Sequence, residues 1–86
     1  MDKESIEGLI KQALETTTSA KLDFLPDCDF VEAGILDSLD SMVFLIELEN
    51  VFNVDFPSDT DPREAGWLET KKLIKYIKDR LKDEDS

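Results

Sequence analysis

The sequence predicts an all-α fold, a small antiparallel bundle of three main helices and one short helix. Three observations support this prediction. Apolar residues recur every three or four positions in three separate segments, as on one face of an α-helix. No segment alternates apolar and polar residues as a half-buried strand does. With 86 residues, of which 41% are hydrophobic, the chain suits a single domain, 1–86, that ends in a polar tail at 83–86.

The first helix is predicted from about Lys3 to Thr16. Its apolar residues follow helical spacing: Ile6, Leu9, Ile10, Ala13 and Leu14. The threonines after Glu15 favour its end, because β-branched residues lose side-chain freedom in a helix. The connection 17–36 holds too many large apolar residues for a disordered linker. We therefore expect an ordered loop on the core, with one helical turn at about 30–32. Its apolar residues are Leu22, Phe24, Leu25, Phe30, Val31 and Ile35.

Three further helices are expected after this loop. The second runs from about Ser38 to Phe52, since the following Asn-Val-Asp-Phe-Pro segment cannot continue it. A short helix begins with Asp61 as N-cap and is ended by Gly66. Thr70 can cap the last helix. The apolar face of that helix consists of Leu73, Ile74, Ile77 and Leu81.

The composition excludes several classes of function. A net charge of −11 repels nucleic acid and anionic lipid, so we expect neither as a partner and no membrane insertion. The chain has no histidine and one cysteine, Cys28, so the usual nucleophilic triads and thiolate metal clusters are absent. We therefore expect a protein that is not an enzyme and has no metal site. A single free thiol and the lack of a signal peptide indicate a cytoplasmic protein.

The charge is unevenly distributed along the chain. Between Leu22 and Pro62 there are eleven acidic residues and no Lys or Arg. Seven of the ten basic residues lie between Arg63 and Lys82. Ordinary surfaces intersperse the two signs, so the acidic segment favours a surface that meets basic surfaces of other proteins.

The second helix has two apolar sides. At about 100° per residue, the side that we predict to face the core contains Phe44, Leu45, Leu48, Val51 and Phe52. The opposite side, called here the apolar stripe, contains Leu39, Met42, Val43 and Ile46. Asp40 and Glu47 separate the two sides on one flank and Glu49 on the other. A small bundle buries one side of each helix, so we expect the stripe to be an exposed protein-binding surface. The alternative is a central helix that buries both sides.

Ser38 lies where the long loop becomes the second helix. The first N–H groups of a helix are unpaired and the helix dipole is positive there, so a phosphate on Ser38 would be stabilised. The simpler interpretation is that Ser38, or Asp37 before it, is only an N-cap.

The segment around Ser38 resembles acyl carrier proteins of the phosphopantetheine-binding superfamily. The resemblance runs through Phe30-Val31-Glu32-Ala33-Gly34-Ile35-Leu36-Asp37-Ser38-Leu39-Asp40-Ser41, then Leu48-Glu49, Phe52, Val54 and Pro57. These proteins open their second helix with Gly-x-(x)-Asp-Ser-Leu/Met, and the serine carries 4′-phosphopantetheine from coenzyme A. Gly34 lies four residues before Ser38, at the family's spacing, and seven before Ser41. We therefore expect the arm on Ser38 and expect Ser41 to point along the core side.

The resemblance also implies partners. They are a phosphopantetheinyl transferase, an acyl- or aminoacyl-loading ligase, and downstream transferases or synthases, which the carrier would meet as a monomer. Asp37 and Leu39 would flank the cofactor. The face toward the partner enzymes would consist of Asp37, Leu39, Asp40, Met42, Val43, Ile46, Glu47 and Glu49.

The sequence indicates the attachment site more clearly than the cargo, the acyl or aminoacyl group that the arm would carry. Fatty acid synthase carriers usually have acids where this chain has Val43 and Asn50. The Gly-Ile-Leu-Asp-Ser-Leu turn, and the run Glu64…Trp67…Thr70…Lys72-Leu73-Ile74, look closer to D-alanyl carrier proteins. We interpret the chain as a stand-alone carrier in lipid (including fatty acid), polyketide or other specialised biosynthesis. The alternatives are the D-alanyl carrier of cell-wall teichoic acid modification and an unmodified acidic helical interaction module. Trp67 is compatible with either family as a core aromatic at the end of the bundle.

A calcium-binding domain is a further alternative. Four carboxylates suggest it: Asp55, Asp59, Asp61 and Glu64. Their spacing lacks the Asp-x-Asp-x-Asp-Gly core and the later Glu of an EF-hand, so we give this hypothesis little weight.

Overall fold

The computed structural model describes residues 3–57 and 59–85, and it confirms the all-α prediction. The helices are α1 (Lys3–Thr18), α2 (Ser38–Phe52), α3 (Pro62–Ala65) and α4 (Thr70–Asp85). In this part of the chain there is no β-strand, only an isolated antiparallel bridge between Asp29 and Glu69. The segment predicted as a polar tail continues α4 as far as Asp85, and Ser86 lies outside the described residues.

α1 packs against both α2 and α4, and it ends two residues later than predicted. Its buried face has the predicted spacing, with Leu9 half-buried at its edge: Ile6, Ile10, Ala13 and Leu14. The Thr18 hydroxyl donates to the Leu14 carbonyl at 2.8 Å, which lets the threonines stay helical. Ser19 then takes a left-handed conformation with φ of 59° and ends the helix.

The long loop is ordered, as predicted, and its start is attached to α1. The Leu22 N–H donates to Glu15 Oε2 at 2.7 Å, and Lys11 Nζ donates to the Leu22 carbonyl at 3.1 Å. Phe30 is completely buried. Four of the other loop residues predicted to pack on the core are half-buried against it: Leu22, Leu25, Val31 and Ile35. Phe24 is 72% exposed, so the prediction that it packs on the core is wrong. Its ring lies instead at the edge of an open groove between α1 and α4.

Thr70 attaches the middle of the loop to α4. Its buried hydroxyl pairs with the Pro26 carbonyl and accepts a hydrogen bond from the Cys28 N–H at 3.3 Å. The Thr70 N–H donates to the Cys28 carbonyl at 3.2 Å. The Thr70 hydroxyl therefore forms hydrogen bonds with the loop and not with the N–H groups of its own helix. The prediction that Thr70 caps α4 is wrong.

The boundaries of α2 and α3 agree with the sequence signals. α2 ends at Phe52 because Asn53 adopts a left-handed conformation with φ of 56°. Asp61 caps α3 by accepting from the Arg63 N–H at 3.0 Å. Gly66 ends that helix with φ of 82°, a conformation that favours glycine.

The core joins all the long elements and includes an aromatic cluster near the start of α4. Trp67 is buried, as expected of a core aromatic, with its ring centroid 5.1 Å from Phe56 and 5.3 Å from Tyr76. The predicted face of α4 is also confirmed. Leu73, Ile74 and Ile77 are buried and Leu81 is half-buried. Among the described residues, no helix has the length and apolar character that a membrane crossing requires.

Candidate functional site

The site is built at the amino-terminal end of α2, where Asp37 is the N-cap. Its side chain accepts a hydrogen bond from the Asp40 N–H at 2.7 Å, and its backbone is extended. This bond satisfies one of the unpaired N–H groups of the first turn. Of the two capping residues considered from the sequence, Asp37 therefore takes this role and leaves the Ser38 side chain unused by the cap.

The two serines of the Asp-Ser pairs have opposite environments. Ser38 is the first residue of α2 and is exposed to solvent. Ser41 is buried, and its hydroxyl donates to the Asp37 carbonyl at 2.7 Å. Ser41 therefore lies on the core side, as predicted. Only Ser38 of the two can present its hydroxyl to another molecule.

The apolar stripe is exposed. The exposed fractions of its side chains are 70% for Leu39, 61% for Met42, 46% for Val43 and 54% for Ile46. The prediction of an exposed second side is confirmed, and the alternative of a helix buried on both sides is wrong. Met42 lies four residues after Ser38, about one helical turn, so the Ser38 hydroxyl and the stripe share one face of α2.

The opposite side of α2 faces the core, with one exception. Phe44, Leu45, Leu48 and Phe52 are buried, whereas Val51 is 38% exposed, which corrects its assignment to the core. Val51 lies four residues after Glu47, on the polar flank of the helix. That spacing was a signal in the sequence that could have located it correctly.

Three acids border the stripe in different ways. Asp40 and Glu47 are half-buried on one flank of α2. Glu49 is half-buried on the other, where one carboxylate oxygen accepts from the Phe56 N–H at 3.0 Å. Glu49 therefore also holds the segment after α2. No local signal in the sequence indicates this second role, because the Phe56 N–H lies seven residues after Glu49.

The turn that leads into Ser38 is held by the core. The Phe30 N–H donates to the Leu68 carbonyl at 2.8 Å, and the Phe30 carbonyl accepts from the N–H groups of Ile35 and Leu36. The helical turn expected near 30–32 is present as hydrogen-bonded turns over 30–34. Gly34 has φ of 78°, which an L side chain rarely adopts, so glycine is needed four residues before Ser38.

The chemistry that this arrangement supports is esterification of an exposed hydroxyl. A phosphate on Ser38 would lie at the positive end of α2, which favours an anion. Among the residues that the structure describes, no three His, Cys, Asp or Glu side chains come together as a metal ion would need. Burial, and then the charges of Asp29 and Asp27, raise the pKa of the Cys28 thiol, so it is a weak nucleophile.

Comparison with known families defines the class of protein. Residues 4–60 match the family model described as the phosphopantetheine attachment site. The match covers more than half of the chain, and the chain belongs to this family of carrier proteins. Its cofactor is covalently attached 4′-phosphopantetheine, and the exposed hydroxyl at a helix start fits that group.

Curated relatives point to one branch of the family. The chain is 29% identical over 75 residues to the D-alanyl carrier protein of Streptococcus uberis, covering 87% of this chain and 94% of that protein. It is 32% identical over 75 residues to the D-alanyl carrier protein of Streptococcus suis, with coverages of 87% and 89%. The D-alanyl carrier protein of Streptococcus equi subsp. equi is 36% identical over 53 residues, with coverages of 62% and 66%. No solved structure matches the chain.

These relatives refine the expectations from sequence. Similarity to D-alanyl carriers is confirmed, and it supports that alternative better than a carrier for lipid or polyketide synthesis. A role in fatty acid biosynthesis has no support among them. As a member of a non-catalytic carrier family, the chain belongs with proteins that interact with phosphopantetheinyl transferases and loading ligases.

Proposed function

We propose that this chain carries D-alanine as a thioester on a 4′-phosphopantetheine arm attached to Ser38. When bound, the arm supplies the thiol that holds the cargo. The observation that carries the proposal is the contrast between an exposed Ser38, free of any capping role, and a buried Ser41. In the attachment step the Ser38 Oγ would attack the phosphopantetheine phosphate of coenzyme A. A phosphodiester would form, the pyrophosphate bond would break, and adenosine 3′,5′-bisphosphate would leave.

D-alanine as the cargo is supported by the names of the relatives and by the packing beneath α2. The side chains of Phe30, Phe44 and Leu48 are completely buried there. The open groove between α1 and α4 is lined by no residue of α2. A group as small as alanine needs no cavity beside the attachment site, whereas a long acyl chain gains from one.

The face proposed for partner enzymes is the exposed side of α2. Leu39, Met42, Val43 and Ile46 supply apolar contact area, and Asp37, Asp40, Glu47 and Glu49 supply negative charge around it. A basic rim around an apolar patch on each partner would complement this surface. Charge complementarity raises the rate of encounter more than the final affinity, which suits a carrier that must leave each enzyme again.

We propose three partners for this face: a phosphopantetheinyl transferase, a ligase that activates D-alanine, and a transferase that takes it onward to cell-wall teichoic acid. The carrier would act as a cytoplasmic monomer without catalysis of its own. Its net charge of −11 favours a monomer through mutual repulsion.

The test begins with intact mass after incubation with coenzyme A and a broad-specificity phosphopantetheinyl transferase. The mass of wild type and of Ser41→Ala should increase by one phosphopantetheine group. The mass of Ser38→Ala should not change, and this variant should remain folded. An arm on Ser38→Ala would overturn the site. No arm on folded wild type would favour the unmodified interaction module and restrict the resemblance to the fold.

Loading is tested on the armed protein with a D-alanine ligase and ATP. We expect a mass increase of one alanyl residue that hydroxylamine removes, as it does thioesters. The same incubation with an acyl ligase and octanoate should give little product. Efficient loading of octanoate with no loading of D-alanine would support a carrier function but contradict D-alanine as the group that is carried.

A further inference from the structure

A second surface, remote from Ser38 in the sequence, has the form of a ligand site. An open groove of about 720 Å³ lies between α1, the loop segment 24–27 and α4. Small-molecule sites commonly have volumes of roughly 300–1,000 Å³. The lining residues of α4 run from Thr70 to Asp79, which is roughly 13 Å at about 1.5 Å per residue. The groove therefore suits an elongated small molecule.

The floor of the groove is apolar. Ile74 is buried beneath it and Leu25 is half-buried on the loop side. Phe24, 72% exposed, lies at its edge, where its ring can close over an apolar ligand. When a ligand covers a large aromatic side chain that is exposed to water beside an apolar groove, the burial of apolar surface lowers the free energy and favours binding.

Gly8 forms part of the α1 wall and is not required by the fold. It lies inside a helix, where glycine is among the least favourable residues. Its φ is not positive, and a Cβ built on it meets nothing within 4 Å. Neither backbone conformation nor close packing within the described residues therefore calls for glycine. Its effect is to keep a side chain out of the groove.

The rim of the groove has the opposite charge to the rest of the molecule. Four lysines and three carboxylates line it, a formal charge of +1 in a chain of net charge −11. Lys71 lies 3.6 Å from Asp27, one of the three carboxylates. Lys75 and Lys78 form no ion pair within the described residues. Since Lys75 follows the buried Ile74 and Lys78 lies one turn further along α4, two ammonium groups border the apolar floor.

We propose that this groove binds the anion of a medium-chain fatty acid without a covalent bond. The alkyl chain would lie on Leu25 and Ile74 beside Gly8, and the carboxylate would lie between Lys75 and Lys78. Free anion is favoured over a membrane surface, because the remaining charge of the chain repels anionic lipid. This binding is independent of Ser38 and of the carrier function.

The test is a titration of decanoate, below its micelle concentration, into ¹⁵N-labelled apo protein. The changes in amide chemical shift should follow a one-site binding curve and should be largest at Gly8, Leu25 and Lys75. The amide signals of the apolar stripe should not change. Ser38→Ala should bind decanoate equally, which separates this result from the carrier assay. Absence of saturable shifts, shifts centred on the stripe, or the same groove shifts on raising protein concentration alone would each overturn the proposal.

Matched variants and ligands define the contribution of each part. Gly8→Leu should abolish binding without lowering the melting temperature. Lys75→Glu combined with Lys78→Glu should weaken binding by about tenfold or more. Lys72→Glu, on the same helix but outside the groove, is the control and should bind like wild type. Decyltrimethylammonium, with the same chain and the opposite charge, should not bind. Equal binding of both ions, or full binding by Gly8→Leu, would contradict the proposed site.

Discussion

The ring of Phe30 packs edge-on against the ring of Phe44, with the centroids 5.7 Å apart and the planes at 86°. Both side chains are completely buried. Phe30 belongs to the loop and Phe44 to the inner face of α2, so this contact joins the turn before Ser38 to the helix after it. Edge-on aromatic pairs contribute about 0.5–1.5 kcal/mol beyond their buried area. The position of the turn before Ser38 is therefore determined by the core.

Phe30→Ala is expected to lower the free energy of unfolding by about 3–5 kcal/mol, through the cavity that it leaves. Phe24→Ala is the matched control, because the same side chain is 72% exposed there, and should change that free energy by about 0.5 kcal/mol or less. Urea unfolding followed by circular dichroism measures both. Similar losses in the two variants would contradict the assignment of Phe30 to the core.

Asp37→Ala is expected to cost about 1 kcal/mol, because the Asp40 N–H loses its capping acceptor. Asp37→Asn keeps an acceptor at the same position and should retain most of that stability. The comparison separates the hydrogen bond from the charge. If Asn proved as destabilising as Ala, the favourable effect would come from the negative charge at the helix start instead.

Met42→Glu and Ile46→Glu should each change the free energy of unfolding by about 0.5 kcal/mol or less, since both side chains are already in water. Leu48→Ala, on the buried side of α2, should cost about 2–5 kcal/mol. Thermal unfolding of the three variants tests the division of the helix. If the stripe is the partner face, the two glutamate variants should remain folded but should react more slowly with the phosphopantetheinyl transferase and with the loading ligase.

Glu15 should make the stability depend on pH below its ordinary pKa of 4.5. The hydrogen bond from the Leu22 N–H lowers the pKa of Glu15 against the opposing effect of burial, and the Lys11 charge lowers it further. A lowered folded-state pKa contributes stability above the unfolded pKa, and that stability is lost as the pH falls through the folded value. Glu15→Gln should therefore be less stable than wild type at about pH 7, and the difference should shrink at about pH 3. A difference independent of pH would contradict this linkage.

Cys28 should react slowly with iodoacetamide at neutral pH. Burial, followed by the charges of Asp29 and Asp27, raises the pKa of its thiol, so little thiolate is present. Unfolding in urea should restore the rate of an ordinary cysteine, measured by mass spectrometry over time. A practical result follows for the armed protein, in which the exposed thiol of the arm should be labelled first. Faster alkylation of folded than of unfolded Cys28 would contradict this account.

The parts of the fold that the sequence predicted well are those with local signals. α2 and α3 have a capping carboxylate at one end and a left-handed residue at the other, so their bounds follow from neighbouring residues. Thr70 was misassigned because its hydrogen-bond partners lie more than forty residues earlier in the chain. Helix propensities alone place the end of α1 too early, because they do not include the hydrogen bond from the Thr18 hydroxyl to the Leu14 carbonyl.

The candidate site followed the same division. The spacing from Gly34 distinguished Ser38 from Ser41, and the period of α2 separated the stripe from the core, apart from Val51. The second role of Glu49 depends on a backbone group seven residues later. The groove combines three segments that lie far apart in sequence, and only the folded chain brings Gly8, Leu25 and Lys75 together.

The lysine-rimmed groove and the acid-bordered face of α2 also give the molecule an uneven distribution of charge in space. In the field of a basic partner such a molecule experiences a torque as well as an attraction. It would rotate toward an orientation with α2 forward while still separated from the enzyme by several layers of water, and a larger share of collisions would be productive. At about 1 M salt the Debye length falls to about 3 Å, which would shorten the range of that rotation and slow the encounter with the enzyme.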